Sequence, residues 1–560
     1  LINTDRSSTE EISSPNWYDL PSTTALLTAG GDARILLSSH RQLSTDHQLS
    51  SGHQLSTDHQ LSSGHQLITD HQLSDDFALN KYGCAPTPEP DLISFSSSTA
   101  STISEAAFSA ANALRTKLAT AIAQQPPALV YARELNRIKR ELLTLCELDH
   151  MQHLDVVFAA SGTDLHFITA QLCAISNAMP LLAIMPDALE TGSGVPAALA
   201  ASHFSSRTAL GEQVGTGQPI AHTMAVDVAA VAIRLADGSL RATAAVDAEV
   251  EALVDEAASL GQHVLLIMVD TSKTGLISPS PACAIKLKQR YPRLLDILVD
   301  ACQFRICAAS LNAYLEHGFM VMLTGSKFIS GPSFSAALFI PQPLASKLSS
   351  QPLPLGMRAY SSSIDWPERF SAATTLQHAA NFGLLLRWHA ALVELQQFKL
   401  VADKQIEDFC TRFCNTIQAR LEADQHFAPL PLRPLNRSCL GLGEHWDSVP
   451  TIFSFVLLDD AGVAVSHQQT LKIYRWLQLR ANDSNRPDIR TLDADIEVVH
   501  CQLGQPVIYS SHHDYELSAL RLCLSARIIV EATKDMASAE KVIQRALSVL
   551  DNVVLLIKML

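Results

Sequence analysis

Three short stretches hold the residues best suited to chemistry, and each follows a run of apolar residues. Ser161-Gly162-Thr163-Asp164 comes after DVVFAA. Its glycine permits close backbone approach, and hydroxyls with free N–H groups at a helix start suit a phosphate. The same four residues also make a helix N-cap for purely structural reasons. LDILVDACQ, from Leu295 to Gln303, delivers Asp300 at a strand end with Gln303 three residues later. A carboxylate so placed can hold the nitrogen of a bound heteroaromatic ring protonated, which makes the ring an electron sink; it can also simply cap a helix. FMVMLTGSKFISGP, from Phe319 to Pro332, runs through Thr324-Gly325-Ser326 into Lys327 and a Gly-Pro turn, and a second apolar strand, SAALFI, follows. Lysine is rarely set between buried strands without a purpose. Desolvation favours its neutral amine, the form that condenses with a carbonyl, whereas a lysine snorkelling at a strand end is the plain alternative.

The elements that must position these residues can be read from the hydrophobic pattern. Strands are predicted at Asp155–Ala160, Leu181–Met185, Val264–Val269, Leu295–Val299, Phe319–Leu323 and Ser335–Ile340, with helices between several of them, at Asp164–Asn177, Asp247–Leu260 and Ala282–Arg290. That alternation predicts a largely parallel sheet covered by helices on both faces. In such a sheet ligands bind at the carboxyl ends of the strands, where all three stretches fall. Before the sheet, Thr102 to Glu105 has capping-box spacing ahead of an Ala-rich helix at 106–123, and an amphipathic helix follows at Arg133–Leu145. After it, the Pro- and Ser-rich stretch from Pro341 to Trp366 reads as a crossing. Helices at His378–Leu400, Lys404–Leu421, Thr470–Leu479 and Ser538–Leu550 and strands at Thr451–Leu458 and Ser518–Ser525 then make a smaller α+β domain. The expected divisions are an extension over 1–90, a large domain over 91–345 and a small domain over 346–560.

The ordered set S-G-T-D, V-D-A-C-Q and T-G-S-K-F-x-x-G-P resembles the fold-type I enzymes dependent on pyridoxal 5'-phosphate (PLP), in particular the class V aminotransferase and cysteine desulfurase branch. The resemblance covers roughly residue 96 to the end of the chain. It implies the aspartate-aminotransferase-like (PLP-dependent transferase) fold, α/β with a large and a small domain, and a homodimer. It further implies that Lys327 carries PLP as a Schiff base and returns the substrate proton. Asp300 would face the pyridine nitrogen and Gln303 the phenolic oxygen. Ser161, Gly162 and Thr163, with Thr324 or Ser326, would hold the phosphate. A small amino acid or amine is the implied substrate, with transamination first and β- or γ-elimination close behind.

Departures from that branch bear on the reaction. Many members set a His over the cofactor ring some thirty residues past the glycine turn; here Ala188–Gly194 holds no aromatic residue, so Glu190 or Thr191 is expected to face the ring, with His203 a more distant candidate. Ser326 stands where many members have His before the lysine. The loop after TIFSFVLL, Asp459 to Ser466, contains no Cys, and Cys439 precedes that strand, which disfavours desulfurase chemistry. Arg521, on an alternating strand, is the candidate to fork a substrate carboxylate, with Arg358 and Arg369 as weaker ones. Lys273, in DTSKTGL, competes with Lys327 but is read as lying in an open polar turn.

Composition narrows the remaining classes. With 41 Lys and Arg against 56 Asp and Glu, the net charge of −15 disfavours nucleic acid or an anionic membrane surface as the main partner. No apolar run approaches the roughly 18 residues of a membrane span, and the acidic LINTDRSSTEE start lacks the pattern of a secretory signal. Eleven Cys without metal-ligand spacing read as reduced thiols in a cytoplasmic setting. From Arg41 to Asp76 a six-residue unit (HQLSTD, HQLSSG) repeats, offering about one Leu per unit, too little to offset the entropy of ordering it. His47, His53, His59, His65 and His71 recur in it without a metal-site pattern, and His512-His513-Asp514 reads as solvated surface. Two further classes stay open: a PLP-fold protein that serves as a binding scaffold, and a different α/β enzyme holding another nucleotide at Ser161.

Overall fold

Apolar runs of five to eight residues, closed by turns, become most strands of the larger of two sheets. The computed structural model describes residues 20–28, 34, 80, 84–96, 101–349, 351–512 and 515–560; the hexapeptide repeat and His513-Asp514 lie outside them. In chain order the strands are β1 (Ile93–Phe95), β2 (Asp155–Ala159), β3 (Leu181–Pro186), β4 (Val226–Val231), β5 (His263–Asp270), β6 (Ile277–Ser278), β7 (Leu295–Asp300), β8 (Met320–Thr324), β9 (Ala336–Ile340), β10 (Phe427–Pro429), β11 (Ile452–Leu457), β12 (Cys501–His512) and β13 (Tyr515–Cys523).

The larger sheet runs β2-β9-β8-β7-β5-β3-β4, with β6 attached to β5. Along that path only β9 is antiparallel to its neighbours. The carboxyl ends of β2, β3, β5, β7 and β8 therefore share one edge. Residues alternate between faces as the pleat demands: Val157 packs on the side of the helix Gly162–Ile175, while Val156 and Phe158 pack on the side of the helices Thr243–Ser259 and Pro281–Arg290. Burial of β5 along its whole length follows from this two-sided cover. The smaller sheet runs β1-β12-β13-β11-β10, backed by the helices Asp403–Ala423, His467–Leu477 and Met536–Ile557. This is the α/β architecture with a smaller α+β domain that the resemblance implied.

Several expectations need correction. β1 pairs parallel with β12, so residues 93–95 belong to the small-domain sheet although they precede the large one. The helix Phe382–Lys399 packs on the helices Glu105–Ile122 and Pro127–Leu145, and its Trp388 meets Phe158 of β2 edge-on at 5.7 Å. It is part of the large domain, beyond the expected boundary at 345. The cap of the Ala-rich helix is Ser104, which accepts from the Ala107 N–H, in place of Thr102. β1, β4, β6, β10 and β12 have no counterpart among the predicted strands. The chain before residue 90 is also not wholly separate. The helix Thr23–Thr28 lies on Phe382–Lys399, with the fully buried Arg387 donating to the Leu26 carbonyl at 3.1 Å.

One buried cation joins the domains. Arg305, just past β7, donates to Thr451 Oγ1 at 2.7 Å and to the Leu524 carbonyl at 2.9 Å, at the ends of β11 and β13, and stacks 5.0 Å from the Phe328 ring centroid. Arg437 adds a second tie, pairing with Asp270 at the end of β5 while Tyr314 donates to the same carboxylate at 2.8 Å. Ten of the eleven cysteines are buried free thiols and Cys439 is exposed. Among the described residues no helix is long and apolar enough to cross a membrane, and no cluster has the makings of a metal site.

Candidate active site

The shared edge of the large sheet, roofed by β12 and β13, encloses a cavity of about 660 Å³, a size suited to a small organic ligand. Ser161, Gly162, Thr163, Glu190, Thr191, Lys273, Asp300, Gln303, Thr324, Ser326, Lys327 and Arg521 all reach its wall. Arg358 does not: it is exposed and donates to the Thr375 carbonyl at 2.5 Å. Arg369 is spent on Asp155, at the opposite end of β2 (2.7 and 2.8 Å), and His203 meets the Tyr360 hydroxyl at 2.6 Å away from the cavity wall.

At one end of the cavity β2 turns into the helix Gly162–Ile175. Ser161 is its N-cap, accepting from the Asp164 N–H at 3.2 Å and donating to Asp164 Oδ2 at 2.5 Å. The serine hydroxyl is thus committed within the turn, while Thr163 and the first free N–H groups of the helix still face the cavity. Gly162 is required for space: a Cβ there would lie 2.5 Å from Cys302 Sγ. Thr324 Oγ1 donates to the Cys302 carbonyl at 2.6 Å, which leaves Ser326 the less committed of the two hydroxyls before the lysine.

Lys327 follows β8 in a 3-10 turn with φ +58°, a left-handed backbone that is costly for a residue with a Cβ. Its ammonium is half-buried and has no hydrogen-bond or ion-pair partner among the described residues. Asp300, at the end of β7, accepts from the Cys302 N–H at 3.1 Å and faces His166 Nε2 at 3.5 Å. His166 sits one turn into the helix and holds the Gly162 carbonyl through Nδ1 at 2.9 Å, so Nδ1 is the donor. Burial pushes its imidazole below the ordinary range, against the pull of Asp300. The Gln303 side chain is buried, its Oε1 has no partner among the described residues, and it lines the same wall. A buried amide without partners is costly unless a ligand supplies them.

Glu190 and Thr191 do not present their polar groups to the cavity as expected. The Glu190 carboxylate, 1% exposed, accepts from Arg234 Nε at 2.7 Å, Ser272 Oγ at 2.7 Å and Thr274 Oγ1 at 2.8 Å. Arg234 in turn donates to the Gly238 carbonyl at 3.0 Å and lies over Tyr509. This cluster clamps the loop after β3 to the loop after β5. Thr191 Oγ1 donates to the Asp187 carbonyl at 3.2 Å. The aromatic rings at the wall are Phe204 and Phe334, each with the Arg34 guanidinium over it, at 5.7 and 5.5 Å. Arg34 is held by both Asp164 oxygens at 3.0 and 2.9 Å.

Lys273 is not in an open turn. Its ammonium donates to the Ala188 carbonyl at 2.9 Å, its N–H to the Glu190 carbonyl at 2.9 Å, and it lines the cavity. Burial, with Arg521 adding to it, brings this lysine down to about 8. Arg521 is buried, donating from Nε and Nη2 to the Gln505 carbonyl (3.0 and 2.8 Å) and from Nη1 to the Lys273 carbonyl (3.3 Å). Cys302 lies on the wall too, but burial, then Asp300, push its thiol well above the usual range, away from the reactive thiolate.

No family model matches this chain, and no curated protein does. Among solved structures, similarity is found to the cystine C-S lyase C-DES in complex with its product cysteine persulfide (13% identity, 79% of this chain and 94% of that chain, TM-score 0.45). The cysteine desulfurase CsdA from Escherichia coli (13%, 82% and 94%, TM-score 0.45) and ureidoglycine-glyoxylate aminotransferase from Bacillus subtilis (12%, 82% and 94%, TM-score 0.43) are similar to the same extent. At these identities and scores the functional reading rests on the geometry of the site itself.

Proposed function

We propose that this cavity binds pyridoxal 5'-phosphate through Lys327 and that the protein acts as a homodimer on a small amino acid or amine, with transamination as its reaction. The observation that carries the reading is the meeting of three ligand-seeking groups on one wall: the strained, partnerless Lys327, the Gln303 amide, and Asp300 backed by His166. These groups fit PLP, since a lysine amine and a carboxylate match its aldehyde and ring nitrogen, and the Gln303 amide N–H can donate to its phenolic oxygen. Thr163, Ser326 and the helix start at Gly162 would take the phosphate. When bound, the cofactor supplies an electron sink for a substrate carbanion.

The chain's own groups do the rest. Asp300, backed by His166, would hold a proton on the ring nitrogen. Lys327 Nζ, the amine nearest the reacting carbon, would take the proton from the substrate α-carbon and hand it back as general base and acid. Arg521 holds the substrate carboxylate through charge-assisted hydrogen bonds. Residues 505–508 of β12 line the small-domain side of the cavity.

The test is an absorbance spectrum of the purified full chain with added PLP, beside Lys327→Ala. A visible lysine-linked band that borohydride locks onto the wild type and not the variant is the expected result. It licenses an amino-acid screen scored for keto acid, ammonia and sulfide, in which transamination gives keto acid without ammonia. No band in either protein overturns the cofactor assignment.

A further inference from the structure

The charges on the cavity wall do not balance, and the imbalance lies in one place. Of the cations there, Arg34 is neutralised by Asp164, and of the anions, Glu190 is neutralised by Arg234. Lys273, Lys327 and Arg521 remain, against Asp300 alone. In the functional reading above, on which this inference rests, Lys327 and Asp300 are both engaged by the cofactor. Two cations then stay without a carboxylate of the protein beside them among the described residues. They are neighbours: Arg521 Nη1 donates to the backbone carbonyl of Lys273, so the turn carrying the lysine sits directly against the guanidinium. No carboxylate lies within ion-pair distance of either side chain among the described residues, and their acceptors are the neutral carbonyls of Ala188, Gln505 and Lys273.

Two like charges held together out of water oppose folding. Such arrangements recur where a ligand supplies the missing charge. One substrate carboxylate satisfies one of the pair. We propose that the substrate is a dicarboxylic amino acid, its α-carboxylate held by Arg521 and its side-chain carboxylate by Lys273. Lys273 is then a specificity-determining residue.

Unreactive acids test this without turnover. The PLP-loaded full chain is titrated calorimetrically with glutarate and with valerate, which share a five-carbon chain and differ by one carboxylate, in wild type, Lys273→Met and Lys273→Arg. The wild type is expected to bind glutarate about tenfold or more tightly than valerate. Lys273→Met brings the two within about twofold and leaves valerate unchanged, and Lys273→Arg retains most of the preference. Equal binding of the two acids by the wild type overturns the proposal, as does a preference that persists in Lys273→Met. Equal weakening of both acids by Lys273→Met would mean a structural role. Weaker PLP binding by that variant at an unchanged acid ratio would assign Lys273 to the cofactor, and both outcomes refute it. The visible band recorded in the same samples separates the two claims. Band without preference removes only the substrate class, whereas absence of the band removes the cofactor reading and this inference with it.

Discussion

Replacing Glu190 with alanine distinguishes a clamp from a ring-facing residue. In the structure its carboxylate is the only ion-pair partner of Arg234 among the described residues, and it also collects the hydroxyls of Ser272 and Thr274. Arg234 is 7% exposed, so Glu190→Ala leaves a buried guanidinium with the Gly238 carbonyl and the Thr274 hydroxyl as its acceptors. Breaking a buried pair from one side costs about 3–5 kcal/mol, a large share of the roughly 5–15 kcal/mol that holds a domain together. Removing both charges, as in Glu190→Leu with Arg234→Met, avoids the stranded ion and should cost far less than the single variant. Urea unfolding followed by circular dichroism, without PLP, measures both. A single variant that loses less than about 1 kcal/mol, or a double variant as unstable as the sum of the two singles, would refute the clamp. A residue that faced the ring would instead shift the visible band of the loaded protein while leaving stability intact.

Two further outcomes follow from local geometry. Gly162→Ala forces its Cβ to within 2.5 Å of Cys302 Sγ, at a cost of about 1–3 kcal/mol, and should weaken PLP binding roughly five- to hundredfold in a spectral titration; adding Cys302→Ala removes the clashing atom and should restore most of it. Asp365, buried against the Tyr131 hydroxyl at 2.6 Å, is raised by burial to about 7. Since the folded state then holds a proton that the unfolded state releases near pH 4, this group's contribution is full below pH 4 and is lost as pH rises toward 7, by about 4 kcal/mol. Asp365→Asn should remove that slope from a pH series of unfolding midpoints, and an unchanged slope would count against it.

What could be read from the sequence was whatever the chemistry writes into a few neighbouring residues. The strand ends at Ser161, Asp300 and Lys327 are legible because an apolar run followed by a polar residue marks the carboxyl edge of a parallel sheet, and all three reach one cavity. The failures share a different cause. Glu190 looks available until Arg234, 44 residues on, takes its charge. Lys273 sits in a turn whose composition is that of an exposed loop, and only the return of β12 and β13 covers it. His166 is hidden inside an apolar helix, with its position one turn past the Ser161 cap as the sole clue. Arg34 stands near a low-complexity tract that draws attention from a single cation. β1 cannot be assigned to the small sheet from its own three residues, because its partner strand lies some four hundred positions away.

Arg305, one of the cations that tie the two domains, has a mechanical meaning. Arg305 leaves β7 five residues after Asp300 and two after Gln303, and its far end is fastened to Thr451 and Leu524 in the small domain. The segment that would grip the cofactor is therefore the same segment on which the small domain is hung. A swing of that domain would pull on Gln303 through a short, buried lever, so that opening the roof and loosening the grip on a bound ring would become a single coordinate. Arg521 rides on the same domain. In the proposed reading, admission of substrate and alignment of the reacting centre would be geared together through Arg305.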